Sequence, residues 1–249
     1  MKRLLAGPRA IEEAVQADPQ RIIVIYGTDE RLRAFDKLAR PHRISCEVRS
    51  TAELDLLARG LKHQGVVAVT GEYPYAELDQ VLAQLPPQPL IVALDQISDP
   101  HNFGAIVRSA VAFGAHAVLT LKDRAAPVTP VVVRASAGAT ERARIVRVTN
   151  LARALTTLRE RGLLTVGLDA RADLTLEHMP EAESGRVLVI GSEGDGLRRL
   201  TREHCDALVR IAMPGGFESL NAAVAASIAL YECARLRTKG SAASSPGVG

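Results

Sequence analysis

The chain is expected to be α/β, with a mostly parallel sheet in its larger, C-terminal part. Three observations support this. From Leu90 onward, short aliphatic runs alternate with helical patterns. Most of those runs are nearly continuous in apolar residues, as in strands covered on both faces. The composition is 47% hydrophobic but only 3% aromatic with no Trp, so the core is aliphatic. The 249 residues allow one large or two modest domains.

Taken in order, Ala10 to Ala17 reads as a short helix and Arg21 to Tyr26 as a strand. Asp29 to Ala39 is a helix ended by Pro41, Ile44 to Val48 a strand, Thr51 to Arg59 a helix, and Gly65 to Val69 a strand. Residues 1–70 therefore form a small α/β domain. His42 and His63 are isolated and read as surface or structural histidines. The prolines of Tyr73-Pro-Tyr75 and Pro86-Pro87-Gln-Pro89 mark 71–89 as a semi-rigid linker around a weak helix, Ala76 to Leu85.

Residues 90–238 form the second domain. Strands are expected at Leu90–Leu94, Ala117–Leu121, Ile145–Val148, Leu163–Leu168, Val187–Ile190 and Ala207–Ile211. Helices are expected at Phe103–Phe113, Pro130–Ala137, Leu151–Arg161 and Leu197–His204. Asn102 stands at or near one N-cap. A last helix, Ser219 to about Arg237, is expected to start at a Ser219 N-cap and to be buried, against another subunit in a dimer. Residues 239–249 are small, polar and Pro/Gly-rich, and read as a disordered tail.

Charge and cysteine content narrow the function classes. No apolar run reaches membrane-spanning length, and the N-terminus turns polar too soon for a signal peptide. Cys46, Cys205 and Cys233 lack CxxC spacing, which suits a reducing cytoplasm and gives no expectation of a metal site. Net charge is +3, and all of it lies in residues 1–70, where 12 basic residues face 9 acidic ones. The remainder holds 19 of each (31 less 12, 28 less 9).

Three strand-end loops carry the chemistry. Leu94-Asp95 leads to Asn102-x-Gly104-x-Ile106-x-Arg108, an arginine among small apolar residues that needs an anionic partner. Val187 to Ile190 leads into Gly191-Ser-Glu193-Gly-Asp-Gly196-Leu197. Ile211-Ala-Met213-Pro-Gly215 leads to Ser219-Leu220-Asn221. Glycines let backbone approach a ligand or take positive φ. In open α/β sheets ligands collect at such strand ends, so the loops suggest one pocket. The G-x-x-G-x-G spacing and its late position argue against a dinucleotide fingerprint.

With these motifs in order, the chain resembles the SpoU branch of the SPOUT RNA ribose 2'-O-methyltransferases. Ser136-Ala-Gly138-Ala is also similar to a stretch this family carries. Upstream, Gly7-x-x-Ala10 and His63-Gln64-Gly65-Val66 are similar to the ends of the small domain, related to a ribosomal protein fold, that precedes the catalytic domain in large-subunit rRNA guanosine methylases. The likeness covers about residues 4–238; Ala212 departs from it, standing where the family usually has Pro.

The resemblance implies a C-terminal trefoil knot, a homodimer, and methyl transfer from S-adenosylmethionine to a ribose 2'-hydroxyl, most readily of a guanosine in 23S rRNA, with tRNA or an antibiotic-target rRNA nucleotide as alternatives. It implies cofactor contacts at Gly191, Ile211 and Leu220, with Met213 beside them. It implies catalytic roles for Arg108, Asn102, Glu193, Ser219 and Asn221. A non-catalytic RNA-binding module is disfavoured by the presence of all five. The basic N-terminal domain is expected to supply RNA affinity, so that removing residues 1–70 abolishes RNA binding and spares the cofactor.

Overall fold

The computed structural model describes residues 2–243, the side chains of 238–243 excepted. The chain divides into two compact units: residues 1–74 with 127–142, and 75–126 with the remainder from 143.

The first unit opens with β1 (Arg3–Ala6), α1 (Pro8–Ala17), β2 (Ile22–Gly27) and α2 (Asp29–Ala39), followed by β3 (Cys46–Val48), α3 (Thr51–Ala58) and β4 (Val66–Thr70). Its sheet runs β1-β4-β2-β3; β4 is antiparallel to both neighbours and β2 and β3 are parallel. Local chemistry sets the boundaries. Ser50 and Glu53 form a reciprocal capping box at α3, with the Glu53 amide donating to Ser50 Oγ at 3.3 Å and the Ser50 amide to Glu53 Oε2 at 2.8 Å. Strand β1 was not expected, because it is short and begins with charged residues. Leu5, Ile11, Ile25, Phe35 and Leu54 fill the core. His63 is structural: it is buried, bonds Asp55 at 2.9 Å through Nε2, and accepts from the Gly65 amide at Nδ1.

The second unit begins inside the expected linker. Ala76 pairs with Val146, and α4 (Leu78–Leu82) buries Val81 and Leu82 in the aliphatic core. Prolines at 86, 87 and 89 end that helix but do not free the segment, because its apolar side chains have a core to enter. Then follow β5 (Leu90–Asp95), α5 (Pro100–Ala112) and β6 (Ala117–Leu121). The next helix, α6 (Pro130–Ala135), lies in the Pro127–Arg142 segment and belongs to the first unit. The second unit resumes with β7 (Ile145–Val148), α7 (Leu151–Glu160), β8 (Leu164–Leu168), β9 (Leu174–Thr175) and β10 (Arg186–Gly191). It closes with α8 (Arg199–Glu203), β11 (Ala207–Arg210) and α9 (Ala222–Ala243).

The seven strands are ordered β7-β6-β5-β10-β8-β11-β9, and every recorded pair is parallel. Strand β10 is inserted between β5 and β8, so its carboxyl end, Gly191, lies in register with Asp95. This is where strand order reverses, the place in such sheets where ligands bind.

Helix starts and the last helix differ from expectation. Asp99, not Asn102, caps α5: its carboxylate accepts from the His101 and Asn102 amides at 3.3 and 3.0 Å. Asn221, not Ser219, caps α9, accepting from the Ala223 and Val224 amides at 3.0 and 3.2 Å. Helix α9 is buried on one face only, through Ala226, Ala229, Leu230 and Cys233, while Val224, Ile228 and Tyr231 are exposed. It extends to Ala243, five residues into the expected tail; 244–249 lie outside the described residues.

Pro127–Arg142 is held in the first unit by a buried ion pair. Glu141, its side chain 1% exposed, accepts from Arg3 Nη1 at 2.9 Å and Nη2 at 2.6 Å. Arg21 approaches the same carboxylate at 3.9 Å, with its pKa lowered chiefly by burial. Gly138, at φ 85°, passes so close to α1 that a Cβ would lie 3.1 Å from Ala10 Cα. A cut after residue 70 therefore strands this segment and is not a clean domain deletion. Glu141→Ala, which leaves Arg3 buried without its partner, is expected to destabilise the first unit by about 3 kcal/mol. Urea denaturation followed by a probe in that unit checks this.

Candidate active site

Three loops meet at the carboxyl edge of the parallel sheet, and one side-chain oxygen joins them. Helix α5 follows β5 and presents Asn102, 9% exposed, from its first turn. A tight turn follows β10 and presents Glu193. The segment after β11 presents Asn221 at the start of α9. Asn102 Nδ2 donates to Glu193 Oε1 at 2.9 Å. Asn221 Nδ2 donates both to Asn102 Oδ1, at 2.9 Å, and to Glu193 Oε1. The Ala222 amide adds a further bond to the same oxygen at 3.3 Å. Glu193 is thus also an acidic group at the N-terminus of α9, where the helix dipole favours it.

Glycine makes the turn after β10 possible. Ser192 and Gly196 exchange backbone hydrogen bonds at 3.2 and 3.1 Å, closing Glu193-Gly194-Asp195 into a narrow loop. A Cβ on Gly191 would fall 2.2 Å from the carbonyl carbon of Gly196, so only glycine fits there. Gly194 and Gly196, both at positive φ, would by contrast project a Cβ into open space. That backbone can be approached closely by a ligand. Ile211 and Met213 are half-buried and Leu220 is 36% exposed, leaving apolar surface on the neighbouring segment. The small and apolar character of these residues fits an adenine and a bent methionine arm.

The remaining expected site residues lie outside this network. Arg108 is exposed on α5 and makes no ion pair with another described residue. It lies six residues after Asn102, hence on a different face of the helix. Ser219 is exposed and does not cap α9.

Sequence reasoning missed Asp95 and Arg198. Asp95, fully buried at the end of β5, accepts from Arg198 Nε at 2.7 Å and from the Arg198 amide at 3.0 Å. The signal was present: a carboxylate ending an otherwise apolar strand requires a partner. Two thiols are poor nucleophiles: burial pushes Cys205 up to about 12 and Cys233 up to about 11.

This fold and site define a recognisable class. Residues 89–231 match the model of the SpoU rRNA Methylase family, and residues 4–76 match that described as RNA 2'-O ribose methyltransferase substrate binding. The chain belongs to the SpoU rRNA methylase family. It is 41% identical over 245 residues to a Bordetella pertussis protein named 23S rRNA (guanosine-2'-O-)-methyltransferase RlmB, covering 94% of this chain and 98% of that one. A Pseudomonas aeruginosa protein of the same name is also 41% identical, over 93% of this chain and 96% of its own. Among solved structures, the SpoU methyltransferase AviRb from Streptomyces viridochromogenes in complex with AdoMet superposes with a TM-score of 0.80 at 30% identity, covering 96% of this chain and 92% of that one. The chain is therefore an S-adenosylmethionine-dependent RNA 2'-O-methyltransferase.

Gly191→Ala drives a Cβ into the Gly196–Leu197 backbone and so forces the two limbs of the turn after β10 apart. It is expected to weaken S-adenosylmethionine binding by tenfold or more, roughly the effect of losing one well-placed hydrogen bond. Calorimetric titration with the cofactor alone reads this.

Proposed function

We propose that this protein transfers a methyl group from S-adenosylmethionine to the ribose 2'-hydroxyl of a guanosine in 23S rRNA, acting as a homodimer in the cytoplasm. The observation that carries this reading is the Asn102–Glu193–Asn221 junction, which binds three motif-bearing loops at one sheet edge. Bound S-adenosylmethionine supplies the methyl group as a sulfonium. The Gly191 turn, Ile211, Met213 and Leu220 hold it.

The chain's own residues then have few tasks. Orientation of the ribose against the donor supplies much of the rate. Glu193, Asn102 and Asn221 fix the loops that line the pocket, and Ser219 lies on the third of them. Arg108 is free to engage RNA. A guanidinium, with a pKa above about 12, is a poor base. Stabilising the developing alkoxide and gripping the adjacent phosphate is the easier role; as the O–C bond forms and the S–C bond breaks, the hydroxyl proton leaves to solvent and the donor departs as the neutral thioether. The first unit, whose residues 1–70 carry the whole net positive charge, contributes RNA affinity.

We assign the C-terminal segment after β10 to a trefoil knot, consistent with the insertion of β10 between two earlier strands. The dimer contact is assigned to the apolar stripe of Val224, Ile228 and Tyr231 on α9, which are 47%, 39% and 57% exposed. Among the described residues no helix is long and apolar enough to cross a membrane.

Two measurements test these assignments. Mass-spectrometric mapping of 2'-O-methyl groups in strains with and without the protein should show one guanosine in 23S rRNA losing its methyl group; a loss confined to tRNA would overturn the substrate. Arg108→Ala is expected to lower turnover by about 10²–10³-fold while leaving S-adenosylmethionine affinity intact. Equal losses in both would overturn that division of roles.

A further inference from the structure

The carboxyl edge of the sheet holds a second set of charges that the methyl-transfer site does not use. Asp95 is fully buried, yet it lies two residues in register from the Glu193 turn, opposite Gly191. Burying a carboxylate is costly unless it is paired and hydrogen-bonded. Among the described residues Asp95 meets that requirement through Arg198, taking Nε on one oxygen and the backbone amide on the other. This fixes both the chain and the plane of the guanidinium. The Arg198 side chain remains 41% exposed. Its two terminal nitrogens have no hydrogen-bond partner among the described residues. They form the rigid, planar fork that suits phosphate oxygens.

The pattern repeats two strands away. At the end of β8, which flanks β10 on its other side, Asp169 is 8% exposed. It pairs with Arg202 at 2.6 Å and Arg171 at 3.8 Å. Two nearly buried carboxylates thus hold three guanidiniums along the edges of β5, β10 and β8. Arg198 is the guanidinium of this set that lies nearest in sequence to the Glu193 turn. A surface arginine serving solubility alone has no need of a fully buried carboxylate to aim it.

We propose that Arg198, aimed by Asp95, is an RNA-phosphate anchor on the catalytic sheet, with Arg202 and Arg171 continuing the track. The anchor seats the backbone of the target strand next to the cofactor turn, in addition to whatever the first unit binds. It rests on the RNA-methyltransferase reading, and phosphate in a polynucleotide backbone is the ligand.

The test uses the full-length protein and an unmodified 23S rRNA transcript without cofactor, with affinity measured across a salt series. Arg198→Ala is expected to weaken RNA binding roughly tenfold. It should reduce the slope of log affinity against log salt by about 0.7–0.9, the loss of one phosphate contact. Arg198→Lys, which keeps the charge but not the fork, should restore the slope and only part of the affinity. S-adenosylmethionine affinity, titrated separately, should stay within twofold of wild type. Arg199→Ala is the control, since that neighbouring side chain is 78% exposed and pairs with Glu203 rather than a buried aspartate. An unchanged slope in Arg198→Ala, a matching loss of cofactor affinity, or an equal effect from Arg199→Ala would overturn the proposal. Absence of methyl transfer by the wild-type protein would instead refute the enzymatic reading, which the salt series does not measure.

Discussion

One carboxylate oxygen, Glu193 Oε1, organises the catalytic unit. It accepts from a side chain on α5, from a side chain at the start of α9, and from a backbone amide of α9. The three loops come from β5, β10 and β11, which are far apart in sequence: Asn102 and Asn221 are separated by 119 residues. Glycine-rich turns of this kind are individually adaptable. Tied to one acceptor they become a single body, because a shift of any loop would cost a charge-assisted hydrogen bond of about 1.5–3 kcal/mol. A site that works by orientation rather than by a reactive group depends on such rigidity more than on any one nucleophile. The Arg198 backbone amide, bonded to the buried Asp95 carboxylate at 3.0 Å, ties the far limb of the Gly191–Leu197 excursion to β5 without needing the Arg198 side chain.

Much of the fold was legible because the aliphatic runs are dense and sharply bounded. Ala117–Leu121, Ile145–Val148 and the helix Asp29–Ala39 have the limits that their apolar pattern and flanking residues indicate. Helix starts were less legible for a specific reason. The segments before α5 and α9 each offer more than one side chain able to cap: Asp99 and Asn102 in the first, Ser219 and Asn221 in the second. Tertiary contacts decide between them. Asn102 sits in the first turn of α5, where Asp99 accepts its backbone amide, and its side-chain amide is then used by Glu193. The candidate site was legible as motifs, but not as a geometry. Nothing in the spacing distinguishes Asn102 and Asn221, which enter the junction, from Ser219, which does not. The expected linker failed for a related reason: proline density reports where helices stop, not whether Val81 and Leu82 find a core.

The division of the chain into units was the least legible feature, and it bears most on how the protein is held together. Residues 127–142 leave the large sheet between the adjacent strands β6 and β7 and complete the first unit. The contact that secures them, Arg3 with Glu141, spans 138 positions and involves residue types that elsewhere in this chain make ordinary surface pairs. No local pattern could reveal it. Its physical consequence follows from connectivity. Strands β6 and β7 must pair in parallel, and the excursion joining them is long, so its closure entropy would weigh against the sheet if the excursion were free. Packing it into the first unit, with Glu141 buried against Arg3 and Gly138 pressed onto α1, removes that freedom. The chain consequently passes between the units at 74/75, 126/127 and 142/143. The first unit, whose residues 4–76 match the substrate-binding model, is therefore not an appendage on a single linker: loosening its core is expected to release the excursion that β6 and β7 must close, and so to weaken the sheet on which the Gly191 turn is built.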